Sequence, residues 1–525
     1  MLASYSSKYP VPEGIKFSYG TAGFRMKADV LDSTVFRTAI LASLRSRYLK
    51  SQVIGLMVTA SHNPPPDNGV KIVDPQGEML DSEWEPYATV LANAQTDEEL
   101  ENAVNQLVKD LSIDLSVPAN VIYARDSRDS GPRLVKALAD GLEAVGAKGT
   151  DYGMLTTPQL HYLVRCLNTL KSPNSYGVPS EEGYYKKLSI AYNKVTSAPY
   201  SITVDCANGI GGPKLKKLAE YLDGQVQIEV VNDRADEPET LNSNCGADFV
   251  KVNQKIPSGV TPEPNKLYAS FDGDADRIVF FYVDESGVFR LLDGDKIASL
   301  VASFIGELVA QTGTDLTIGV VQTAYANGAS TDYLVNTLKV PVECTPTGVK
   351  HLHHAAQKFN VGVYFEANGH GTVLFDPIAI SQLQAFKVTS PGQKAAIDSL
   401  LALSDLINQT VGDSISDLLT VIAVLTLKNW TPKDWDLCYT DLPNRLAKVE
   451  VSDRTLFKTT DAERKLVSPP DLQGRIDDLV KKYPQGRSFV RASGTENVVR
   501  VYAEASTRAQ ADELALKVSQ LVQPY

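Results

Sequence analysis

The chain has 525 residues and a mass of 57.0 kDa, enough for three or four domains at about 150 residues each. Hydrophobic residues at 43% and charged residues at 22% are globular proportions and exclude a disordered chain. With 51 basic and 63 acidic residues the net charge is −12, which sets aside a protein that grips nucleic acid by its phosphates.

The five cysteines, Cys166, Cys206, Cys245, Cys344 and Cys438, include no Cys-x-x-Cys pair. Reduced thiols in a cytoplasmic protein are expected, not a disulfide framework or a zinc ribbon. The first ten residues lack the apolar stretch of a signal peptide. The longest strongly apolar run, 418–427, falls well short of the roughly 20 residues of a membrane span, so no membrane partner is expected.

Short apolar runs alternate with amphipathic stretches, the α/β pattern. Residues 54–59 read as a buried strand, followed by a loop over 60–69. Residues 121–124 form another strand, and 132–146 a helix with Leu134, Ala137, Leu138, Leu142 and Val145 on one stripe. The Pro-, Ser- and Gly-rich stretch 171–182 reads as a linker, and 200–205 open a new unit with a strand. Residues 232–266 read as one long irregular segment, of the kind that is functional or disordered. A strand at 268–271 then ends in a run of acids. Asp293 and Asp295 stand as N-cap residues before a helix over 296–310, and a further unit runs to 427. Strands at 449–451, 488–490 and 498–503 with a closing helix at 509–522 give an α+β C-terminal unit.

Four segments carry chemistry. In Thr59-Ala60-Ser61-His62-Asn63-Pro64-Pro65-Pro66-Asp67-Asn68-Gly69-Val70-Lys71 a hydroxyl sits just past a buried strand, in a loop braced by three prolines. Open α/β sheets place ligands at such strand ends, and a stiff loop pre-organises a nucleophile. His62 and Lys71 add a proton acceptor and a phosphate-binding cation; the plainer reading is a rigid turn with an exposed serine. In Phe271-Asp272-Gly273-Asp274-Ala275-Asp276-Arg277 three acids alternate along a segment read as extended, which points them to one side. Three such charges need a cation or protons to offset them, and hard oxygen ligands favour Mg²⁺. A calcium loop would need Gly and Glu where the chain has Arg277 and Val283, so that reading fails; a solvated acidic turn is the plainer one.

In Arg491-Ala492-Ser493-Gly494-Thr495-Glu496-Asn497, followed by Arg500, a strand delivers hydroxyls, a Gly and guanidiniums to one loop, as anion binding requires. A capping box from Ser493 to Glu496 is the alternative, with no evident helix to cap. In Glu366-Ala367-Asn368-Gly369-His370-Gly371 a carboxylate, an amide and an imidazole on a Gly-flexible loop suit vicinal hydroxyls, although Asn-Gly also marks a simple turn. His351, His353 and His354 read as surface residues.

These segments, with Tyr19-Gly20-Thr21-Ala22-Gly23-Phe24-Arg25 and Asn244-Cys245-Gly246-Ala247-Asp248-Phe249-Val250-Lys251, resemble in order the α-D-phosphohexomutase superfamily over nearly the whole chain. The resemblance implies three related mixed-sheet α/β domains plus a C-terminal α+β domain around a central cleft. Their bounds would be 1–195, 196–297, 298–430 and 431–525, carrying in turn the phosphoserine, metal, sugar and phosphate loops. It also implies that Ser61 is phosphorylated. Asp272, Asp274 and Asp276, with an oxygen of that phosphate, would hold Mg²⁺. Glu366, Asn368 and His370 would read the sugar. Arg491, Ser493, Gly494, Thr495, Asn497 and Arg500 would hold the phosphate that is not reacting. Arg25, His62, Lys71 and Arg277 would lie by the moving phosphoryl group, with Lys71, His62 and Arg25 all open as general base.

Some positions depart from the wider superfamily. Ala367-Asn368 replaces residues of its usual Gly-Glu-x-Ser-Gly-His loop, which is the acetamido-sugar group's pattern. Val349 stands where bacterial members have His, and Ala492 where Pro is common. The implied activity interconverts N-acetylglucosamine 6-phosphate and 1-phosphate through a 1,6-bisphosphate, on the route to the UDP-linked sugar, in a monomer or homodimer. Rival readings are a glucose- or mannose-phosphate mutase, a haloacid-dehalogenase-type phosphatase with Asp272 as nucleophile, and an inactive sugar-phosphate binder. Asp276 and the Ser61 loop speak against the phosphatase, and the filled reacting positions against the inactive binder.

Overall fold

The structure, a computed structural model, describes residues 2–493 and 498–525. The chain forms two compact units, one comprising residues up to Leu291 with Ala402–Lys428, the other Leu292–Leu401 with Asn429–Tyr525.

In the first unit, β1 (Phe24–Lys27), β2 (Val53–Val58), β3 (Asp67–Val73), β4 (Asn120–Arg125) and β5 (Lys148–Met154) form a sheet in the order β1-β3-β2-β4-β5. The run expected to be a buried strand is β2, buried from its second residue on. It lies parallel to β4 and antiparallel to β3. The loop after it is shorter than expected, because Asp67, Asn68 and Gly69 already pair with β1. The helix at Gly131–Ala144 buries Leu134, Ala137, Leu138 and Leu142 as the stripe predicts. A second sheet contains β6 (Tyr200–Asp205), β7 (Val226–Val231), β8 (Tyr268–Phe271), β9 (Ile278–Val283) and β10 (Phe289–Leu292), ordered β10-β9-β8-β6-β7. The segment read as irregular, 232–266, holds a helix at Ala247–Asn253. That helix is a short one of 7 residues, below the length at which hydrophobic period is legible.

In the second unit β11 (Ile318–Thr323), β12 (Val342–Thr345), β13 (Val361–Phe365) and β14 (Gly371–Phe375) are ordered β12-β11-β13-β14. A three-stranded antiparallel sheet contains β15 (Asn444–Glu450), β18 (Arg487–Ala492) and β19 (Val498–Glu504), ordered β15-β19-β18, beside the hairpin β16 (Lys458–Thr460) and β17 (Lys465–Ser468). Its core faces the helices Leu472–Val480 and Arg508–Val522. Each of the first three sheets is mixed, with parallel strands and one antiparallel hairpin partner: β2 with β3, β8 with β9, β13 with β14. The expected mixed α/β architecture is what the chain adopts.

Two expectations about side chains need correction. His353 is buried, with Nδ1 3.0 Å from the Tyr364 hydroxyl, because it lies on the inward face of the helix Val349–Ala356. Asp293 caps the helix Gly294–Thr312, but Asp295 lies in its first turn and accepts from the Asn327 N–H. All five cysteines are free of disulfides. Among the described residues no helix is long and apolar enough to cross a membrane.

Candidate functional site

Ser61, the acids and the sugar-loop residues all lie on connections between antiparallel strands. Backbone hydrogen bonds close these connections: Thr59 N–H to Gly69 O, Asp272 N–H to Arg277 O and Glu366 N–H to His370 O. Such hairpins are rigid mounts for side chains.

In the first unit the Ser61 loop meets the acidic loop. Ser61 is only 1% exposed, not the solvent-facing serine of the plainer reading, and its hydroxyl donates to Asp272 Oδ2 at 2.6 Å. Its φ of 53° is left-handed, a conformation that costs an L-residue roughly 1–2 kcal/mol and must be held. The Ser61 N–H donates to Thr59 Oγ1, which in turn donates to Asp126. The approach of the two loops requires glycine at 273, where a Cβ would stand 2.6 Å from the Ser61 carbonyl oxygen.

The acids do not lie on an extended segment. Residues 272–276 turn sharply, with Ala275 at φ 58° and its N–H bonded to Asp272 O, and the carboxylates converge through the turn, not through strand alternation. All three are buried and their oxygens lie within 4.8 Å of one another. Burial, then the charges of Asp276 and Asp274, hold the Asp272 carboxyl well above the usual carboxylate range. Asp272 Oδ1 accepts from the N–H groups of Asp276 and Arg277. Asp274 Oδ2 accepts from the Thr157 hydroxyl at 2.5 Å, whereas its buried Oδ1 has no hydrogen-bond partner among the described residues. Three clustered carboxylates with such an atom fit a hard divalent cation.

Cations flank the triad. Lys71 Nζ lies 3.4 Å from Asp276 and 3.6 Å from Asp274, and Arg277 pairs with Asp248 at 3.3 Å. Arg25 donates to Asn63 Oδ1 at 3.4 Å. Burial, then the charges of Arg277 and Arg25, push the His62 imidazole down to about 2, so it is neutral at any working pH. That makes it a feeble proton acceptor.

The second unit carries the other two loops. Glu366, Asn368 and His370 sit in the β13–β14 turn, where Asn368 Oδ1 accepts from the His370 N–H and Gly369 has φ 89°. The loop is therefore a tied turn, not a flexible one. Arg491 and Arg500 are direct cross-strand partners on β18 and β19, and Lys448 on β15 is opposite Arg500. Three cations side by side repel unless an anion lies among them. Arg491 Nε also lies 3.4 Å from Glu463, which accepts from the Thr347 N–H and hydroxyl. Ser493 is buried; Gly494, Thr495 and Asn497, and Glu496 of the capping alternative, lie outside the described residues.

Sequence reasoning missed Asp126, Arg128, Thr157, Asn242, Lys448 and Glu463. Only Asp126 and Arg128 left a trace, as a charged pair just past a strand that resembles β2.

Comparisons with known proteins agree with this architecture. Family models described as phosphoglucomutase/phosphomannomutase, alpha/beta/alpha domain I, match residues 21–101 and 88–172. Models described as phosphoacetylglucosamine mutase AMG1, domain II and domain III, match 180–279 and 293–430. The phosphoglucomutase/phosphomannomutase C-terminal domain matches 446–521. The phosphoacetylglucosamine mutase of Candida albicans is 53% identical over 99% of this chain and 99% of its own. The chain belongs to the phosphoacetylglucosamine mutase family. Among solved structures, the Aspergillus fumigatus N-acetylphosphoglucosamine mutase in complex with GlcNAc-6P and magnesium superposes with a TM-score of 0.96 at 54% identity, covering 100% of this chain and 98% of that one. An N-acetylglucosamine-phosphate mutase of the α-D-phosphohexomutase superfamily, in its substrate complex, gives 0.96 at 54% identity over 99% of both chains.

Proposed function

We propose that this chain is a phosphoacetylglucosamine mutase that interconverts N-acetylglucosamine 6-phosphate and N-acetylglucosamine 1-phosphate through phosphoserine at Ser61 and a 1,6-bisphosphate. The observation that carries the reading is the Ser61 hydroxyl, buried and 2.6 Å from the first carboxylate of the acidic cluster. A glucose- or mannose-phosphate mutase is disfavoured by the family relationship and by Ala367-Asn368 in the sugar loop.

In this scheme phosphorylated Ser61 gives its phosphoryl group to O1 of the 6-phosphate. The bisphosphate turns over, and the 6-phosphoryl returns to Ser61. Asp272, Asp274 and Asp276, with an oxygen of the Ser61 phosphate, hold Mg²⁺. When bound, the ion offsets charge on the moving phosphoryl group. Arg277 and Arg25 add fixed positive charge beside it, a stabilisation that acts without reorganisation in a buried site. Lys71, paired with two of the acids, is positioned to bridge them to a phosphate oxygen. Glu366, Asn368 and His370 take the sugar hydroxyls. Arg491, Ser493, Gly494, Thr495, Asn497 and Arg500 hold whichever phosphate is not reacting.

Four domains, 1–195, 196–297, 298–430 and 431–525, are part of the proposal, supported by three mixed sheets, each with a hairpin at a candidate loop, and a separate antiparallel sheet in the C-terminal part. So are a cytoplasmic location, a monomeric or homodimeric enzyme and a product that feeds synthesis of the UDP-linked sugar. The test is intact-mass analysis with a mutase assay on N-acetylglucosamine 6-phosphate. Phosphate present on the parent and missing from an inactive Ser61→Ala variant is the expected result; a fully active Ser61→Ala variant overturns it.

A further inference from the structure

Arg128 lies outside every motif singled out in the sequence, yet it holds more of the serine loop than any other side chain described there. It is 1% exposed. Its Nη2 donates to the carbonyls of Ser61 and Asn63, each at 2.8 Å, and its Nη1 to those of Pro64 at 2.8 Å and Asp67 at 2.9 Å. Its Nε donates to Asp126 Oδ2 at 3.1 Å, so all five N–H groups of the fork are used. The same Asp126 oxygen accepts from the Thr59 hydroxyl that receives the Ser61 N–H. The peptide units on both sides of Ser61 are thus tied to one buried ion pair.

A buried pair of this kind is weak grounds for stability alone, since replacing both partners by apolar groups is often neutral. What the pair uniquely supplies is direction. The four carbonyls converge from one turn, and only a planar guanidinium can satisfy them together; an ammonium has three donors at one point. Asn242 reinforces two of the four, donating to Ser61 O at 3.0 Å and Asn63 O at 3.1 Å.

We propose that Arg128 is a positioning residue for phosphoryl transfer, fixing the left-handed backbone of Ser61 so that its hydroxyl points at the acidic loop. The inference rests on the phosphoserine reading. In the step concerned, the P–O bond to the sugar breaks as a P–O bond to Ser61 Oγ forms, and the serine proton ends on the released sugar hydroxyl. Arg128 touches no reacting atom. It acts by keeping Oγ in line, where a displacement of about 1 Å costs on the order of 100-fold.

The experiment uses the full-length chain with Arg128→Lys, Arg128→Ala and Ser61→Ala. Phosphorylation of Ser61 by N-acetylglucosamine 1,6-bisphosphate is followed by intact mass in a single turnover, alongside steady-state kcat, KM and thermal midpoint. For Arg128→Lys the expected result is a transfer rate and kcat lower by about 100-fold, with KM within two-fold of the parent. Added guanidinium ion should recover at least about ten-fold of the loss in Arg128→Ala and nothing in Ser61→Ala. A parental transfer rate in Arg128→Lys overturns the role, as does a loss that merely follows the unfolded fraction. Should Arg128→Ala fail to fold, Arg128→Lys, which keeps a buried cation, decides alone. If instead Ser61→Ala remains fully active, it is the phosphoserine reading that falls.

Discussion

Burial alone changes what a side chain can do, and Glu78, on the turn after β3, is a measurable case. Burial, then the charge of Asp74, raises its carboxyl from the ordinary 4.5 to about 7, and its Oε2 has no hydrogen-bond partner among the described residues. Between these values the folded chain binds the proton more tightly than the unfolded one, so stability falls as pH rises through the window and stays low above it. Glu78→Gln is therefore expected to be more stable than the parent by roughly 1–3 kcal/mol at pH 8 and nearly equal to it at pH 4.5. Denaturant melts at the two pH values check this, and an equal gap at both counts against it. The residues that act locally were legible in the sequence. Ser61 and the three acids sit in short motifs whose residue types and spacing can be read locally, although the hydroxyl meets Asp272 from 211 positions away. Arg128, Thr157 and Asn242 were not, because their partners lie 67, 117 and 181 positions away.

At the level of elements, the strands were easier to read than the connections. Apolar runs such as β6, β8 and β13 declare themselves, whereas the turn at 272–276 passes for an extended stretch because alternating acids fit either geometry. Hairpin pairing decides between them, and pairing is a long-range property. The helix Thr157–Thr169 illustrates what an element end contributes. Thr156 and Gln159 form its capping box, which fixes the first turn, and Thr157 in that turn donates both its hydroxyl and its N–H to Asp274. Outer contacts of this type set the orientation of a metal ligand, and losing one typically costs 10–100-fold in affinity. Thr157→Val is thus expected to weaken Mn²⁺ or Mg²⁺ binding by about 10-fold or more, read by calorimetry or by the Mn²⁺ electron paramagnetic resonance signal without turnover. Unchanged affinity would remove the helix from the metal site.

Over the whole molecule, sequence order and spatial grouping part company. The helix Ser414–Lys428 clusters with residues up to Leu291, although the family model that matches it spans 293–430. Its buried run from Ser414 to Leu425 carries apolar surface into the first unit. Its leading residue ties down the acidic turn, with the Ser414 N–H bonded to Ala275 O and its hydroxyl to Arg277 O at 2.7 Å. A fragment of residues 1–291 is expected to aggregate and to bind a hydrophobic dye, whereas the same fragment joined by a flexible linker to 402–428 stays soluble and dye-poor. Equal behaviour of the two fragments would contradict the grouping. This return of the chain also bears on how such proteins recombine. A crossover at residue 292 would leave one parent's acids propped by the other parent's wedge. Exchanges in which 402–428 travels with the loop it supports are expected to keep function more often than those that separate the two, so two distant stretches of the chain act as one heritable piece.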